Sequence, residues 1–545
     1  MSARRSTAEG RPGPNQGDGR KQQAKAASAP SLAKAVALHM DGKRDEALAE
    51  LNGAIQRGQE GVEVLAAKAH IEFELDRFED AVRTYEKLLA LTPKHVTANF
   101  NLAICYEKLG RWGEAAEGFA RALEADPDRL DAQLGLGICL LHQEKPEPAL
   151  ENFEAVLATT PDHETALFGK AVALQLLWKF DEATAIYKQT IERSPQSEEC
   201  LVNLVTIGMA RKDDSMIREY SEKLLVIRPS SQTALEGLTT SAFSTGDYEA
   251  AVTYCSKLVE YSPAHFERWF NLGVANQRTG RLDDAVKAYR EAIKIRPDAK
   301  QAFVNLGIVF QEQGELKTAR ECYERALQIA PDLADVLYNL ASVLEQEGNR
   351  DEAEKLYVKL LARNPEWEDA WFRLGYLRLQ RGEFRGAAEA FQSCIRKRSP
   401  WPEAQLNLGL SYWNMGDHDA ANKSFDSVLE GDARSVDALR GLAALAIEKG
   451  DFDKALDLQA RLIENGERTA ELFYNTGLLL HKSGQVDDAI RLYHEALAER
   501  PNFPEALLNL GHAMKTQGNE REARQFWRQA LEAKPELAQG YFDHA

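Results

Sequence analysis

The sequence predicts an all-α fold, a solenoid of about fifteen stacked helical hairpins, and three features of the chain support it. Alanine recurs every 34 residues, apolar residues within each period follow helical spacing, and glycine and proline separate the helices. The period needs no insertion or deletion, and the repeats start at residues 28, 62, 96, 130, 164, 198, 232, 266, 300, 334, 368, 402, 436, 470 and 504. Such strict periodicity indicates a repeat array rather than several globular domains.

The repeat at 266–299 shows how each element is specified. Its first half is predicted to be a helix ending near Gly280, because small and apolar residues fall at helical spacing: Trp269, Leu272 and Gly273. Its second half is predicted to be another helix that stops at a proline: Ala285, Tyr289, Ala292 and Pro297. One hairpin buries too little apolar surface to fold alone, so neighbouring hairpins must share a core.

This order of aromatic, Leu and Gly, then Ala, aromatic, Ala and Pro, resembles the tetratricopeptide repeat family. The repeat at 300–333 matches it with Leu306, Gly307, Ala319, Tyr323, Ala326 and Pro331. The alanine that starts the second helix is present in every repeat except one, which has Ile217. The resemblance implies a right-handed α-α superhelix whose first helices line a concave groove. The array is also similar to the tetratricopeptide half of O-linked N-acetylglucosamine transferase, without that protein's catalytic domain.

The chain is predicted to have three parts. Residues 1–27 are rich in glycine and proline and carry a net charge of +4, which predicts a disordered basic tail. The alternative is a basic arm that touches anionic lipid or an acidic partner. A continuous array is predicted over 28–537, and residues 538–545 are predicted to start a closing helix that stays incomplete. Such an open C-terminal face could dock a partner or a second copy of the chain.

Charge and composition limit the classes of partner. The chain has 67 basic and 85 acidic residues, a net charge of −18, which disfavours nucleic-acid binding and favours a partner with a basic segment. No stretch approaches the ~18 consecutive apolar residues of a membrane span, and neither a secretory nor a twin-arginine signal is complete. Six scattered cysteines without a C-x-x-C pair favour a reducing cytoplasm.

The sequence carries no catalytic or metal-binding signature. It lacks a glycine-rich phosphate loop, a G-x-S-x-G elbow and an H-E-x-x-H motif. The closest approach to a histidine cluster is His481, His494 and His512, which are predicted on different helices. We therefore expect no enzyme activity, no cofactor and no metal.

The candidate binding residues form a stripe on the first helix of each repeat. Positions 2, 6, 9 and 13 share one helical face beside the core. Asparagine recurs at position 6, as a predicted ladder that grips an extended main chain through amide donors and acceptors: Asn101, Asn203, Asn271, Asn305, Asn339, Asn407, Asn475 and Asn509. Aromatic residues accompany it: Phe270, Tyr338, Phe372, Trp413 and Tyr474. An acidic row at position 2 begins with Asp335, Asp369 and Glu403.

Each of these features has an alternative explanation. Asparagine is common at position 6 throughout the resembling family, so the ladder can reflect ancestry alone. Carboxylates in the first turn of a helix also favour its dipole, without any ligand. The carboxylate clamp of chaperone-binding family members is not expected, because position 5 is mostly apolar and no position 9 is Asn.

The sequence therefore predicts a soluble protein–protein interaction scaffold that binds an extended peptide or a partner protein in its groove. The alternative is a structural subunit or assembly factor that joins a larger complex through its ends. A third class, an enzyme like the transferase, is disfavoured because the repeats run to the last residues.

Overall fold

The computed structural model describes residues 30–538, which form thirty α-helices, one short 3-10 helix and no β-strand. These residues divide into two compact units, the first ending at Ala264 and the second beginning at His265. The predicted tail at 1–27 and most of the predicted closing helix, 539–545, lie outside the described residues. That one continuous array runs over 28–537 stays a prediction.

The first unit contains fourteen helices between residues 30 and 264. They are α1 (30–40), α2 (Arg44–Gln56), α3 (Val62–Glu74), α4 (Phe78–Leu91), α5 (Val96–Lys108), α6 (Trp112–Ala125), α7 (Leu130–His142), α8 (Pro146–Thr159), α9 (Glu164–Leu176), α10 (Phe180–Arg193), α11 (Glu198–Arg211), α12 (Asp214–Ile227), α13 (Gln232–Thr245) and α14 (Tyr248–Tyr261).

The second unit contains sixteen helices in its described part. They are α15 (Phe266–Arg278), α16 (Leu282–Ile295), α17 (Lys300–Glu312), α18 (Leu316–Ile329), α19 (Ala334–Gln346), α20 (Arg350–Arg363), α21 (Glu368–Gln380), α22 (Phe384–Lys397), α23 (Pro402–Asn414), α24 (His418–Gly431), α25 (Val436–Lys449), α26 (Phe452–Glu464), α27 (Ala470–Lys482), α28 (Val486–Glu499), α29 (Pro504–Thr516) and α30 (Glu520–Ala533). The 3-10 helix is Pro535–Leu537.

The predicted all-α repeat fold is confirmed. From residue 62 onward, the odd-numbered helices begin at the predicted repeat starts, and we call them helices A. The even-numbered helices, helices B, begin sixteen residues after their helix A, as Phe78 follows Val62. Each helix therefore occupies the same place in its repeat.

Small side chains explain how closely the two helices of a repeat pack. The alanines that start helices B are each 0% exposed, and Ile217 at the same place is 1% exposed. In helix A of the repeat at 266–299, a Cβ added to Gly273 would lie 2.5 Å from the ring of Tyr289. The glycine is thus required because the tyrosine ring of helix B lies directly against the backbone of helix A.

A left-handed residue ends helix A in every repeat, at position 15. Eleven of these residues are glycine, which adopts positive φ at no steric cost. Four are not: Asp76, Glu144, Trp178 and Lys212 have φ of 54°, 57°, 61° and 55°. The tight turn requires a positive φ at this position, so these four residues adopt the left-handed region although it costs energy for a residue with a Cβ.

The repeat at 198–231 departs most from the pattern, and its bulk is accommodated by glycines. Val205 and Ile217 stand at places where the pattern has small residues. A Cβ on Gly208 would lie 3.0 Å from Cγ1 of Ile217, and one on Gly237 would lie 2.8 Å from Cγ1 of Val205. The side chains of Ile217 and Val205 thus fill the space that is free because Gly208 and Gly237 have no side chain.

No helix within residues 30–538 is both long and apolar enough to cross a membrane. Buried apolar side chains form clusters that link successive hairpins inside each unit. The cluster around Tyr323, for example, includes residues from Ala285 to Ala390. A core shared between neighbours in this way is what holds a repeat array together.

Candidate peptide-binding face

The predicted asparagines all lie on helices A, at the same place in each helix. Seven of the eight are half-buried, and Asn475 is exposed. We call the side of helices A that carries positions 2, 5, 6, 9, 12 and 13 the groove face. It is the side on which the predicted site residues lie.

Three of the asparagines bond to a tyrosine on helix B of the preceding repeat. The side-chain amide of Asn101 donates to the hydroxyl of Tyr85 at 3.0 Å. Asn203 donates to Tyr187 at 3.1 Å, and Asn305 to Tyr289 at 3.2 Å. The tyrosines are buried on helices B, and burial raises their pKa well above the ordinary value. We call this contact the tyrosine bridge, because it joins one repeat to the next.

A glutamine of the tyrosine's own repeat completes two of these bridges. The hydroxyl of Tyr289 donates to Oε1 of Gln277 at 3.0 Å while it accepts from Asn305. Tyr187 makes the same contact with Gln175 at 3.1 Å. The phenol thus has both a donor and an acceptor partner, which is what a buried hydroxyl requires.

One bridge is built from charged residues instead. Tyr357 donates to Oε2 of Glu345 at 3.3 Å, and Nε of Arg373 lies 3.6 Å from the same oxygen. Glu345 occupies the glutamine position and Arg373 the asparagine position. This ion pair interrupts the asparagine ladder, although the tyrosine is retained.

The other five asparagines divide into two groups. Asn407 donates to the backbone oxygen of Glu403 at 2.9 Å, and Asn509 donates both to Glu505 O and to Tyr474 Oη. The amides of three others make no hydrogen bond with any described residue: Asn271, Asn339 and Asn475. The ladder therefore mixes structural amides with amides that are open to a ligand.

The predicted aromatic residues form one wall of the groove face and also pack against the core. Tyr338 stacks on Trp367 with centroids 5.6 Å apart, and Tyr474 lies 4.9 Å from Phe503. Phe372 stacks on Trp401 at 5.0 Å, and Phe270 lies 5.8 Å from Tyr289. All four are half-buried, so each offers a ligand an edge that its neighbour holds in place.

The acidic row is exposed except for Glu505, which is half-buried, and part of the row is already paired. Lys534 lies 2.7 Å from Glu505 and lowers the pKa of that carboxyl. Backbone amides at the start of α27 lower the pKa of Glu471, and its ion pair with Arg500 adds to this. Asp369 has a weaker contact, 3.8 Å from Arg398.

Two carboxylates of the row differ from these. Asp335 and Glu403 are exposed and have no ion pair with any described residue. Helix-end electrostatics thus account for part of the row, whereas these two carboxylates are available to a basic partner.

Sequence reasoning missed two cavities on the groove face of the second unit. One has a volume of about 550 Å³ and lies between α23 and α25. The other, of about 420 Å³, is lined by His481, Lys482, Asn509, His512 and Lys515 of α27 and α29. Gly441 at the asparagine position is not a specific sequence signal for the first cavity, because Gly135 and Gly169 occupy the same position against Phe119 and Phe153.

The cysteines are poor candidates for catalytic residues. All six cysteines are buried and free, and burial raises the pKa of Cys105, Cys139, Cys255 and Cys394 to about 12. Such thiols remain protonated and are poor nucleophiles.

One histidine group escaped the sequence analysis. Nε2 of His39 lies 2.8 Å from Oε2 of Glu74, and Nε2 of His70 lies 3.3 Å from its Oε1. These three residues could offer ligands to a metal. However, Nε of Arg44 donates to the same Oε2 at 2.8 Å, so the Glu74 carboxylate is already engaged by an arginine.

Comparisons with known proteins agree with this architecture. Three sequence profiles described as tetratricopeptide repeat match the chain, together over more than half of its length. The first matches 66–129, 143–198, 338–400 and 406–468. The second matches 268–332 and 298–366, and the third matches 110–167 and 480–540. No curated protein sequence matches the chain.

Solved structures of repeat proteins are also similar to parts of the chain. The C-terminal part of a repeat-containing protein from Cytophaga hutchinsonii is 17% identical, with 44% of this chain and 98% of that one covered and a TM-score of 0.40. A tetratricopeptide repeat protein from Parabacteroides merdae is 20% identical over 49% and 98%, with a TM-score of 0.33. YrrB, described as having an unusual peptide-binding site, is 20% identical over 34% and 96%, with a TM-score of 0.32.

Proposed function

Because this chain belongs to the tetratricopeptide repeat family, we propose that it is a scaffold whose groove face holds an extended segment of a partner protein. Tetratricopeptide repeats mediate protein–protein interaction and assembly, and an architecture built of them is typical of non-catalytic scaffolds. The finer proposal concerns where the partner lies and by which atoms it is held.

The open amides carry the proposal. Asn271, Asn339 and Asn475 each offer two N–H donors and one carbonyl acceptor, the same groups that an extended main chain needs to satisfy. They recur at equivalent places on helices A of the second unit. An extended segment running along that face would find matching partners at repeated intervals, whatever its own side chains.

Charge supports a basic segment as the partner. The chain has a net charge of −18, and Asp335 and Glu403 are exposed on the groove face without an ion pair among the described residues. Complementary charge would speed encounter and disfavour acidic competitors. Six buried free cysteines are consistent with a reducing compartment, and we propose the cytoplasm.

A capture experiment tests the groove face. Partners are isolated from the native host with the wild-type chain and with the triple variant Asn271→Ala, Asn339→Ala, Asn475→Ala, which leaves every tyrosine bridge intact. We expect the variant to lose partners that the wild type retains. The matched control is Asn349→Ala, Asn519→Ala, because these exposed asparagines lie in the turns between helices A and B.

The alternative function predicts a different result. If the chain is a structural subunit joined through its ends, the triple variant keeps every partner, and removal of 1–27 or 538–545 abolishes assembly. Transfer of a sugar by the purified chain would instead support an enzyme.

A further inference from the structure

The asparagine ladder breaks in the repeat at 436–469, where Gly441 occupies the asparagine position. The residue of the preceding helix B that faces it is Phe425, where a tyrosine bridge would need Tyr. A Cβ on Gly441 would lie 2.8 Å from two ring carbons of Phe425, so the ring lies directly against the helix. Both polar partners of the bridge are therefore absent together, and an apolar surface replaces them.

This apolar surface forms the floor of the cavity of about 550 Å³ between α23 and α25. Leu406, Leu410 and Ala444 extend the floor on either side of Phe425. Leu410 is 37% exposed, so its side chain is accessible to a ligand. The volume lies within the range of about 300–1,000 Å³ that is typical of ligand pockets.

One wall of the cavity is held rigidly. The indole N–H of Trp413 donates to Oε2 of Glu448 at 2.9 Å, which fixes the plane of the ring. Asn407 lies at the edge and donates to the backbone oxygen of Glu403 at 2.9 Å, so its side-chain carbonyl remains an acceptor. A ligand would thus meet a formed pocket rather than one that must be ordered on binding.

Carboxylates line the rim of this apolar pocket. Glu403 has no ion pair with any described residue. Asp437 lies 3.8 Å from Nη1 of Arg440, but the guanidinium makes its closer contact, 2.6 Å, with Glu467. Arg440 also lines the cavity, so the rim carries two carboxylates against one guanidinium, a net negative charge, above a floor that has no polar side chain.

We propose that this pocket binds one lysine or arginine side chain of the partner segment, a proposal that rests on the function proposed above. The methylene stem would lie on Phe425 and Leu410, and the cation would reach Glu403 and Asp437 at the rim. Lysine and arginine combine an apolar stem with a charged head, which is the combination that the pocket presents. The pocket thus selects a basic residue within a groove that otherwise holds the main chain.

Labelled peptide pools with one fixed central residue test this proposal by fluorescence anisotropy. The central residue is arginine, lysine, norleucine or glutamate, and the flanking positions are random small and polar residues. Norleucine is the matched control, because it keeps an apolar stem and lacks the charge. We expect the wild-type chain to bind the two basic pools about tenfold more tightly than the norleucine pool.

Two variants place the selectivity in the pocket. Glu403→Gln, Asp437→Asn should reduce the advantage of the basic pools to about twofold or less. Ala444→Phe should also reduce it by filling the floor, although both carboxylates remain. Asp453→Asn, which removes an exposed carboxylate of helix α26 away from the groove face, should leave it unchanged. Circular dichroism and urea midpoints establish that each variant is folded.

The outcomes separate the pocket from the groove. If no pool binds the wild type, the groove function itself fails. If all pools bind equally, or norleucine binds best, the groove stands and the basic pocket is wrong. An advantage for the basic pools that survives both pocket variants would also overturn the proposal, because another site must then supply it.

Discussion

The side-chain amide of Asn305 donates a hydrogen bond to the hydroxyl of Tyr289, 3.2 Å away on the second helix of the preceding repeat. A residue that looks like a ligand-binding amide in the sequence is thus part of a contact between repeats. The two roles are compatible, since the amide retains a second N–H and its carbonyl oxygen. They are also separable by mutation, because other asparagines of the ladder lack this bond.

We predict that Asn305→Ala lowers the free energy of unfolding by about 1–2 kcal/mol, because it leaves the buried hydroxyl of Tyr289 without its donor. Asn339→Ala should change it by less than about 0.5 kcal/mol, since its amide bonds to no described residue. Urea denaturation of the full chain measures both. If both variants lowered the free energy of unfolding equally, the tyrosine bridge would make no specific contribution to stability.

We predict that Glu144→Gly raises the free energy of unfolding by about 1 kcal/mol, because Glu144 has a φ of 57° and is exposed. Glu144→Ala is the control, since alanine keeps the conformational penalty and should give no gain. The urea midpoint is the measurement. A gain for alanine as large as that for glycine would contradict a backbone origin.

We predict that Ile217→Ala destabilises the chain by about 2–5 kcal/mol, although it restores the alanine found in the other repeats. The isoleucine fills space beside Gly208 and Gly237, so its truncation leaves a cavity that neither glycine can fill. Ile217→Val should cost about 0.5–1.5 kcal/mol. A neutral or stabilising alanine would show that helices α11 and α12 close up around the smaller residue.

We predict that the chain loses stability as pH rises from about 9 toward 12. Burial raises the pKa of thiols such as Cys255 to about 12, whereas an unfolded thiol titrates near about 8.5. Between these values the unfolded state releases protons that the folded state keeps, so unfolding becomes easier, by about 2 kcal/mol per thiol at pH 10.

Urea midpoints measured from pH 7 to pH 11 test the alkaline effect. Buried tyrosines act in the same direction, because burial raises the pKa of Tyr106 and Tyr220 to about 12. Alkylation of the folded chain at pH 8.5 should be slow for all six thiols. A flat stability profile, or rapid alkylation without unfolding, would contradict the protonated, buried state.

Helix positions were predictable because each is fixed by local steric requirements. The alanine that starts helix B and the glycine of helix A mark close packing, and the structure places both as expected, with Ala285 fully buried. The non-glycine residues at position 15 were also visible in the sequence, but the energetic cost of their positive φ was not. That Trp178 adopts positive φ follows from its place in the turn, not from any preference of tryptophan.

The candidate site was only partly predictable, because its chemistry depends on pairs of residues in different repeats. Asparagine at position 6 was recognised, but its partner sits sixteen residues earlier, as Tyr289 does for Asn305. A search for that pair would have found the bridges. The same comparison would have marked three pairs in which both polar partners are absent, namely Phe119 with Gly135, Phe153 with Gly169, and Phe425 with Gly441.

The constant helix register has a consequence for how such a chain can change by genetic recombination. Deletion of residues 300–333 would join α16 to α19 with every boundary in phase, and Tyr289 would then face Asn339, an acceptable new partner. Deletion of 368–401 would instead bring Asn407 to Tyr357 and leave the half-buried carboxylate of Glu345 without its arginine. Loss of a repeat by recombination therefore costs little stability at some junctions and more at others. The charged bridge makes loss of the repeat at 368–401 one of the costly ones.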